Sequence, residues 1–222
     1  MRTFTTPAPI SAVLDIPAGR VRFIAGDRAD TTVEVLPADA RKGRDVKVAE
    51  RTSVEYGDGV LRITASARNQ FFGPSGFVDV TVRLPAGSDV RAKAAGVEFQ
   101  GVGRLGDVAF EGSHASVELD EAASVHLTTH GGDVTVDRLG GSARISTGKG
   151  DIRITEAVRG TVVLRTRAGD VSIGAAAGVA ASLDGGTSCG RIHNALRNTG
   201  GAADRLDIHA TTAYGDITAR SL

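Results

Sequence analysis

The chain has 222 residues, of which 41% are hydrophobic and 4% aromatic, and it carries 26 basic and 26 acidic residues. This composition is typical of a globular protein with an aliphatic core, and the balanced charge excludes a global field that would draw the chain to nucleic acid or an anionic membrane. The single Cys189 excludes an intramolecular disulfide. Because no apolar stretch approaches a membrane span or a secretion signal, we expect a cytoplasmic location.

Residues 1–87 predict irregular β structure. Alternating apolar pairs recur there at loose spacing, as in Leu14 with Ile16 and Val33 with Val35. The charged segment 38–59 fits either a short helix or an exposed strand, and NQFFGPSG at 69–76 is typical of a loop. We expect this region to cap the first edge of the repeats that follow, because open strand edges invite aggregation.

Residues 88–222 contain a repeat of two short strands separated by turns. The first apolar residues of the second strands recur with gaps of 20, 17, 18, 19, 21 and 25 residues, at Val97, Val117, Val134, Ile152, Val171, Ile192 and Ile217. Five of them follow a glycine and a polar residue, which is turn chemistry directly before a strand. Apolar and polar residues alternate within each strand, so one face of each strand is buried.

A unit of about 18 residues cannot bury its apolar face alone, so successive units must stack and pair in parallel. The sequence therefore predicts an all-β fold, a parallel β-solenoid with about 17–21 residues and two strands per coil. Residues 1–87 form its N-terminal β region or cap, and residues 88–222 form the solenoid repeats of one continuous domain. A threonine ladder is expected at Thr129, Thr147 and Thr166, with breaks at Gly185 and Ala210.

The order of the motifs resembles a known bacterial family. The stretch FVDVTVRLPAGSDV at 77–90, the recurrent GDV and GDI strands, and the terminal YGDITARSL are similar to the putative adhesin family of β-strand repeats, domain of unknown function 4097. The resemblance covers nearly the whole chain. It implies a β-solenoid with no established catalytic residues, and some members of the family are linked to the cell envelope and its stress responses.

Repeated aspartates follow the glycines of the turns, and they allow two interpretations. The set consists of Asp133, Asp151, Asp170 and Asp216. Carboxylates on one face of a β-helix suit polysaccharide cleavage. Aspartate after glycine also suits turn geometry, because its side chain accepts hydrogen bonds from nearby backbone amides. The repetition favours the structural interpretation, a column of turn residues.

No cofactor, metal or catalytic residue is predicted. The period is twice that of the calcium-binding nonapeptide repeat, and the five histidines show no pair at ligand spacing. Cys189 and His193 lie four residues apart, but a small residue in a turn explains Cys189 more simply than a nucleophile does. The chain is therefore predicted not to be an enzyme.

Charge is banded along the repeats. Residues 107–137 hold seven acidic and no basic residues, whereas residues 138–167 hold seven basic and two acidic ones. One interpretation is that neighbouring coils neutralise each other, for instance through Glu118 or Asp137. The other is a basic stripe that binds an anionic partner, either a polyanion or an acidic protein face, formed by Arg144, Arg153, Arg165 and Arg167.

The leading functional prediction is a non-enzymatic scaffold for protein–protein interaction or self-assembly, without specific binding of nucleic acid or of a small molecule. The alternative is a glycan-binding or glycan-cleaving β-helix. Carbohydrate sites usually present exposed aromatic rings, whereas the repeats offer only Phe99, Phe110 and Tyr214, the first two with inward parity. A further hypothesis is self-association through the final strand ITARSL, whose edge has no evident cap.

Overall fold

The computed structural model describes residues 1–65, 76–197 and 204–222. In these ranges the chain forms sixteen strands and one helix, so the predicted all-β class and β-solenoid-like fold are confirmed. The chain divides into two compact units, Met1–Ala115 and Ser116–Leu222. Of the loop predicted at 69–76, only Gly76 is among the described residues.

Unit 1 combines parallel and antiparallel strands with one helix. Its elements in chain order are β1 (Arg2–Thr5), β2 (Ser11–Gly26), β3 (Asp30–Pro37), α1 (Gly43–Arg51), β4 (Thr52–Gly57), β5 (Val60–Ala65), β6 (Val78–Pro85) and the first part of β7 (Asp89–Thr129). β2 pairs in parallel with β5, β6 and β7, while the pairs β1–β3, β3–β6 and β4–β5 are antiparallel. Segment 38–59 thus contains both a helix and a strand.

Long parallel pairing extends unit 1 beyond the predicted boundary at residue 87. The stretch 11–24 of β2 pairs with the stretch 89–102 of β7 in a single register. Along this pairing, Val21 and Phe23 are almost completely buried, and the Phe23 ring lies 5.7 Å from the ring of Phe99. The N-terminal region is therefore more regular than its loose sequence spacing predicts.

Unit 2 consists of two ladders of parallel strands. Its elements are the end of β7, β8 (Val134–Leu139), β9 (Ala143–Lys149), β10 (Ile152–Ala157), β11 (Gly160–Ala168), β12 (Val171–Ala175), β13 (Ala180–Cys189), β14 (Ile192–Ala195), β15 (Arg205–Tyr214) and β16 (Ile217–Ser221). Ladder A has the spatial order β7, β8, β10, β12, β16, β14. Ladder B has the order β7, β9, β11, β15, β13.

The last two coils do not stack in sequence order, and this part of the prediction is wrong. Ile217 of β16 pairs with Val171 on one side and with Ile192 on the other. In ladder B, β15 lies between β11 and β13 in the same way. The C-terminal strands are therefore inserted, and β13 with β14 forms the outer edge. The hypothesis of an open edge at ITARSL fails, because β16 is paired on both sides.

The inserted strands are the more apolar pair, which explains this order. Ile208, Ala210 and Ala219 are at most 1% exposed between their neighbours. The outer strands place Gly185 opposite Ala210 and Asn194 opposite Ala219. Placing the aliphatic strands inside and the polar ones at the edge buries more apolar surface than sequence order would.

Candidate functional site

A column of carboxylates joins the turns of unit 2. The Oδ1 atom of Asp133 accepts a hydrogen bond from the backbone amide of Asp151 at 2.9 Å, and Asp151 accepts from the amide of Asp170 at 2.8 Å. Asp170 accepts from Asp216 at 2.7 Å, and Asp216 accepts from Arg191 at 2.8 Å. Each carboxylate therefore ties its turn to the next strand, which supports the interpretation of these aspartates as turn residues.

The last carboxylate of the column, that of Asp216, forms an ion pair with Arg191. The pKa of Asp216 lies below its ordinary value because the backbone N–H of Arg191, and then its guanidinium at 3.1 Å, donate to the carboxylate. A carboxyl pKa that is lower in the folded state stabilises the fold above the unfolded-state pKa of about 3.9. That contribution disappears as the pH falls through the folded-state pKa.

The substitution Arg191→Ala tests this contact at the outer edge. It removes the guanidinium and keeps the backbone donor, so we expect the pKa of Asp216 to rise part of the way toward its ordinary value. An NMR titration of the side-chain carboxyl carbons measures the shift. An unchanged titration curve for Asp216 would show that the guanidinium does not stabilise the carboxylate in solution.

Threonines form a buried column on ladder B. Thr129, Thr147 and Thr166 stand in one register, and the column continues through Thr212 and Thr187. The breaks predicted at Gly185 and Ala210 are therefore wrong, because strands β13 and β15 are displaced by two residues from the predicted alignment.

The hydroxyls of this column bond to carbonyl groups of neighbouring turns. Thr166 donates to the carbonyl oxygen of Gly150 at 3.1 Å, and Thr212 donates to that of Gly169 at 3.0 Å. Thr187 donates to the carbonyl oxygen of Gly215 at 3.0 Å. The column thus fastens strand ends to turns, and it offers no free hydroxyl for a ligand at these positions.

The predicted arginine stripe separates into two surfaces. Arg144 lies on β9 and Arg165 and Arg167 lie on β11, all in ladder B, whereas Arg153 lies on β10 in ladder A. All four side chains are exposed. The turn at Gly150 lies between β9 of ladder B and β10 of ladder A. The position of the Gly-Asp turn in the sequence therefore already indicates that Arg153 lies on a different strand ladder from Arg144.

The three arginines of ladder B form what we call the basic face, together with His126. Arg144 pairs in register with His126 on one side and with Val163 on the other. Arg165 and Arg167 follow Val163 at alternate positions of the same strand, so all of these side chains share one face. In the described part of the chain, none of the three arginines makes an ion pair or a side-chain hydrogen bond.

A shallow groove of about 320 Å³ lies beside Arg144 on this face. The hydroxyl groups of Ser124, Ser142 and Thr161 line it, and the Ser142 hydroxyl accepts a hydrogen bond from the amide of Thr161 at 3.2 Å. His126 and Arg144 also line the groove, and the guanidinium of Arg144 supplies positive charge. The groove can therefore offer both hydrogen bonds and positive charge to an anionic group.

Neutralisation between neighbouring coils occurs elsewhere. Arg138 forms an ion pair with Glu156 at 2.7 Å. Glu118 and Asp137, which were candidates for neutralising the basic coil, lie on β7 and β8 of ladder A. They are thus on the other ladder from the basic face, whose arginines form no ion pair with any described residue.

A second polar groove lies in unit 1, near α1. It has a volume of about 600 Å³ and is lined by residues of both charges, including Arg20, Asp79 and His114. Asp45 of α1 is 2% exposed, and its carboxylate accepts a hydrogen bond from the amide of Phe77 at 3.0 Å. This buried carboxylate holds the helix to the start of β6. The sequence does not single out Asp45, because it lies in a charged segment without apolar periodicity.

The other candidates of the sequence do not assemble into a reactive site. Within residues 1–65, 76–197 and 204–222, no group of three or more His, Cys, Asp or Glu side chains could hold a metal ion. Cys189 is an exposed free thiol at the end of β13. Phe99 and Phe110 are buried as their parity predicts, whereas Tyr214 is 65% exposed. One exposed ring does not make a sugar-binding platform.

Membrane insertion by a helix finds no support in the described ranges. There, the structure has no helix whose length and apolar character would let it cross a membrane.

Comparisons with known proteins agree with this architecture. A family model described as Toastrack DUF4097 matches residues 13–221. The chain is similar to the structure of a putative adhesin from Bacteroides fragilis NCTC 9343, with 11% identity and a TM-score of 0.59 over 98% of this chain and 95% of that one. It is also similar to a putative adhesin from Parabacteroides distasonis ATCC 8503, with 13% identity, a TM-score of 0.47 and coverage of 98% and 95%. The curated proteins gave no match.

Proposed function

Since this chain belongs to the Toastrack family, DUF4097, we propose that it is a non-enzymatic binding scaffold whose basic face docks an acidic surface of a partner protein. The observation that carries this proposal is the set of three exposed arginines, Arg144, Arg165 and Arg167, on two neighbouring strands without an anionic partner in the described chain. A rigid ladder of paired strands holds these side chains at fixed spacing, as a docking surface requires.

The spacing of the arginines suits carboxylates presented by a folded protein. Arg144 and Arg165 are diagonal neighbours across the strand pair, because Arg144 is in register with Val163. Such neighbours have α-carbons about 7–8 Å apart. Guanidinium groups bind carboxylates through two parallel hydrogen bonds, and complementary charge speeds association and sets orientation. Like charges at this distance repel each other, so a carboxylate between them would relieve an unfavourable interaction.

An acidic protein surface fits this face better than a nucleic acid does. The whole chain has a net charge of zero, which provides no long-range attraction for a polyanion. Proteins that bind single strands also stack bases on aromatic side chains, and the basic face has none.

Charge reversal on the basic face tests the proposal. We expect the double variant Arg144→Glu and Arg165→Glu to lose a partner that the wild-type chain captures from its native cell extract, because the variant repels acidic residues. Each exposed arginine contributes about 0.2–1 kcal/mol to the binding free energy through its ion pair. Salt screens such exposed charges, so we also expect capture by the wild type to weaken as the salt concentration is raised.

Arg153→Glu is the matched control. Arg153 is also exposed and has no ion pair in the described chain, but it lies on ladder A. This variant should capture the same partner as the wild type. If both variants retain the partner, the basic face is not the docking surface. If nuclease treatment abolishes capture, the partner is a nucleic acid instead.

The finer architecture belongs to the same proposal. We propose that unit 2 is a parallel β-solenoid with two strands per coil, which the parallel pairing within both ladders supports. The absence of enzymatic activity and the cytoplasmic location remain predictions from the sequence.

A further inference from the structure

We propose that the partner of the basic face is a second copy of this chain, which presents the carboxylates of Glu118 and Asp137 from ladder A. We call these two residues the acidic pair. The inference rests on the proposed function, because it names the acidic protein surface to which the arginines dock. Both surfaces belong to unit 2.

The same coils of unit 2 carry opposite charges on their two ladders. Ladder A contributes the strand segments 117–122, 134–139 and 152–157, and ladder B contributes the segments 125–129, 143–149 and 160–168. The segments of ladder A contain five acidic and two basic residues, whereas those of ladder B contain four basic and no acidic residues. The net charge of the whole chain is zero. Two copies therefore approach each other without net repulsion, while their unlike surfaces attract.

The acidic pair is exposed and has no cationic partner in the described part of the chain. Glu118 and Asp137 are both exposed, and neither forms an ion pair with a described residue. The hydroxyl of Thr155 donates a hydrogen bond to the carboxylate of Asp137 at 3.3 Å. This bond orients the carboxylate and leaves its charge uncompensated.

The two basic residues of the same segments do not neutralise the acidic pair. The guanidinium of Arg138 is bound to Glu156 at 2.7 Å. Arg153 forms no ion pair with either carboxylate of the acidic pair, although its strand β10 is next to β8. Both carboxylates are therefore available to guanidinium groups of another molecule.

The spacing of the acidic pair matches that of the arginines. Glu118 is in register with Thr135, and Asp137 lies two residues after Thr135 on β8. Arg144 and Arg165 have the same diagonal relation on β9 and β11. The α-carbons of such diagonal neighbours are about 7–8 Å apart in both cases. Two guanidinium groups of one copy can therefore bind two carboxylates of another at the same time, each through parallel hydrogen bonds.

The contact joins two different surfaces of identical chains, so it is heterologous. A chain that loses one of these surfaces still has the other. Variants with either surface neutralised should therefore fail to associate alone and should bind each other when mixed.

Light scattering of the full chain at low salt tests the contact. The mass of the wild type should rise with concentration above the 22.8 kDa of one chain, and it should return to that value as added salt screens the charges. The double variant Arg144→Gln and Arg165→Gln should stay at the mass of one chain, as should the double variant Glu118→Gln and Asp137→Asn. An equal mixture of the two should form a pair with twice that mass.

The double variant Asp27→Asn and Glu50→Gln is the matched control. It removes the same charge as the change at the acidic pair, but from two exposed residues of unit 1, and it should associate like the wild type. Circular dichroism checks that each variant is folded. A wild type that stays monomeric at every concentration overturns the inference. Continued association of either folded double variant of unit 2, or a mixture of the two that stays monomeric, also overturns it.

The capture experiment separates a failure of this inference from a failure of the proposed function. If the wild type is monomeric but captures a different acidic protein, which the Arg144→Glu and Arg165→Glu variant loses, the proposed function stands and only this inference fails. If that variant keeps every captured protein and also associates with itself, the basic face is not a docking surface and both fail.

Discussion

Replacing Ile152 by alanine is expected to lower the free energy of unfolding by about 3 kcal/mol, within the range for a buried isoleucine truncated in a packed core. Ile152 is 1% exposed and stands in register between Val134 and Val171. Its neighbours belong to paired strands and cannot collapse into the space that the substitution leaves. The loss therefore includes both the transfer free energy of the removed carbons and the cost of a cavity.

The same change at Ile192 is expected to cost less than about 1 kcal/mol, because nearly half of that side chain is already in water. Urea denaturation of both variants at the same protein concentration gives the two values. The two free-energy changes can be compared directly, because both residues are isoleucines at the same register position of ladder A. If Ile192→Ala costs as much as Ile152→Ala, then Ile192 is buried and the strands stack in sequence order instead.

The regular part of unit 2 could be predicted from the sequence because its signal is local. The Gly-Asp turns and the alternating aliphatics mark each strand, and Val117, Val134, Ile152 and Val171 are in register as their spacing predicts. Ladder order after Val171 could not be predicted in the same way. It depends on which of two coils buries more apolar surface next to β12, and that is a comparison between distant segments.

A signal for the inserted order was nevertheless present in the outer strand. The alternation in RIHNA places Asn194 at a position where β8, β10 and β12 have Val136, Ile154 and Ile173. A polar amide at a core position costs free energy unless it reaches water or a partner. Asn194 is exposed, and its side-chain oxygen accepts a hydrogen bond from the amide of Leu196 at 3.1 Å. The polar residue therefore marks the strand that belongs at an edge.

The basic face could be predicted only in part. Strand parity correctly predicts exposed side chains for all four arginines of the stripe. It does not show that Arg153 belongs to a separate ladder, nor that Arg138 is the arginine that Glu156 neutralises. Those facts depend on which strands are neighbours across the turns, and so on tertiary pairing.

Substitution of Gly169 by alanine should destabilise the chain by about 3 kcal/mol or more. Gly169 has φ of +150°, where side chains are rarely tolerated. A Cβ atom at this residue would lie 2.1 Å from the carbonyl oxygen of Gly150. The backbone around that carbonyl is held by the column of turns, because the amide of Gly150 bonds to the carbonyl oxygen of Ala168 at 2.9 Å. Backbone strain and overpacking each cost about 1–3 kcal/mol, and here both act together.

Gly186→Ala is the control for this substitution. Gly186 lies on the exposed face of β13, and a Cβ atom there would meet nothing closer than a methyl group of Thr211 at 4.0 Å. Alanine should therefore change the free energy of unfolding by less than about 1 kcal/mol, since the new methyl group fits and the unfolded chain loses some conformational freedom. Denaturation midpoints of the two variants measure the difference. Equal midpoints would mean that Gly169 is not in close contact with the carbonyl group of Gly150, and would contradict the tight stacking of the turns.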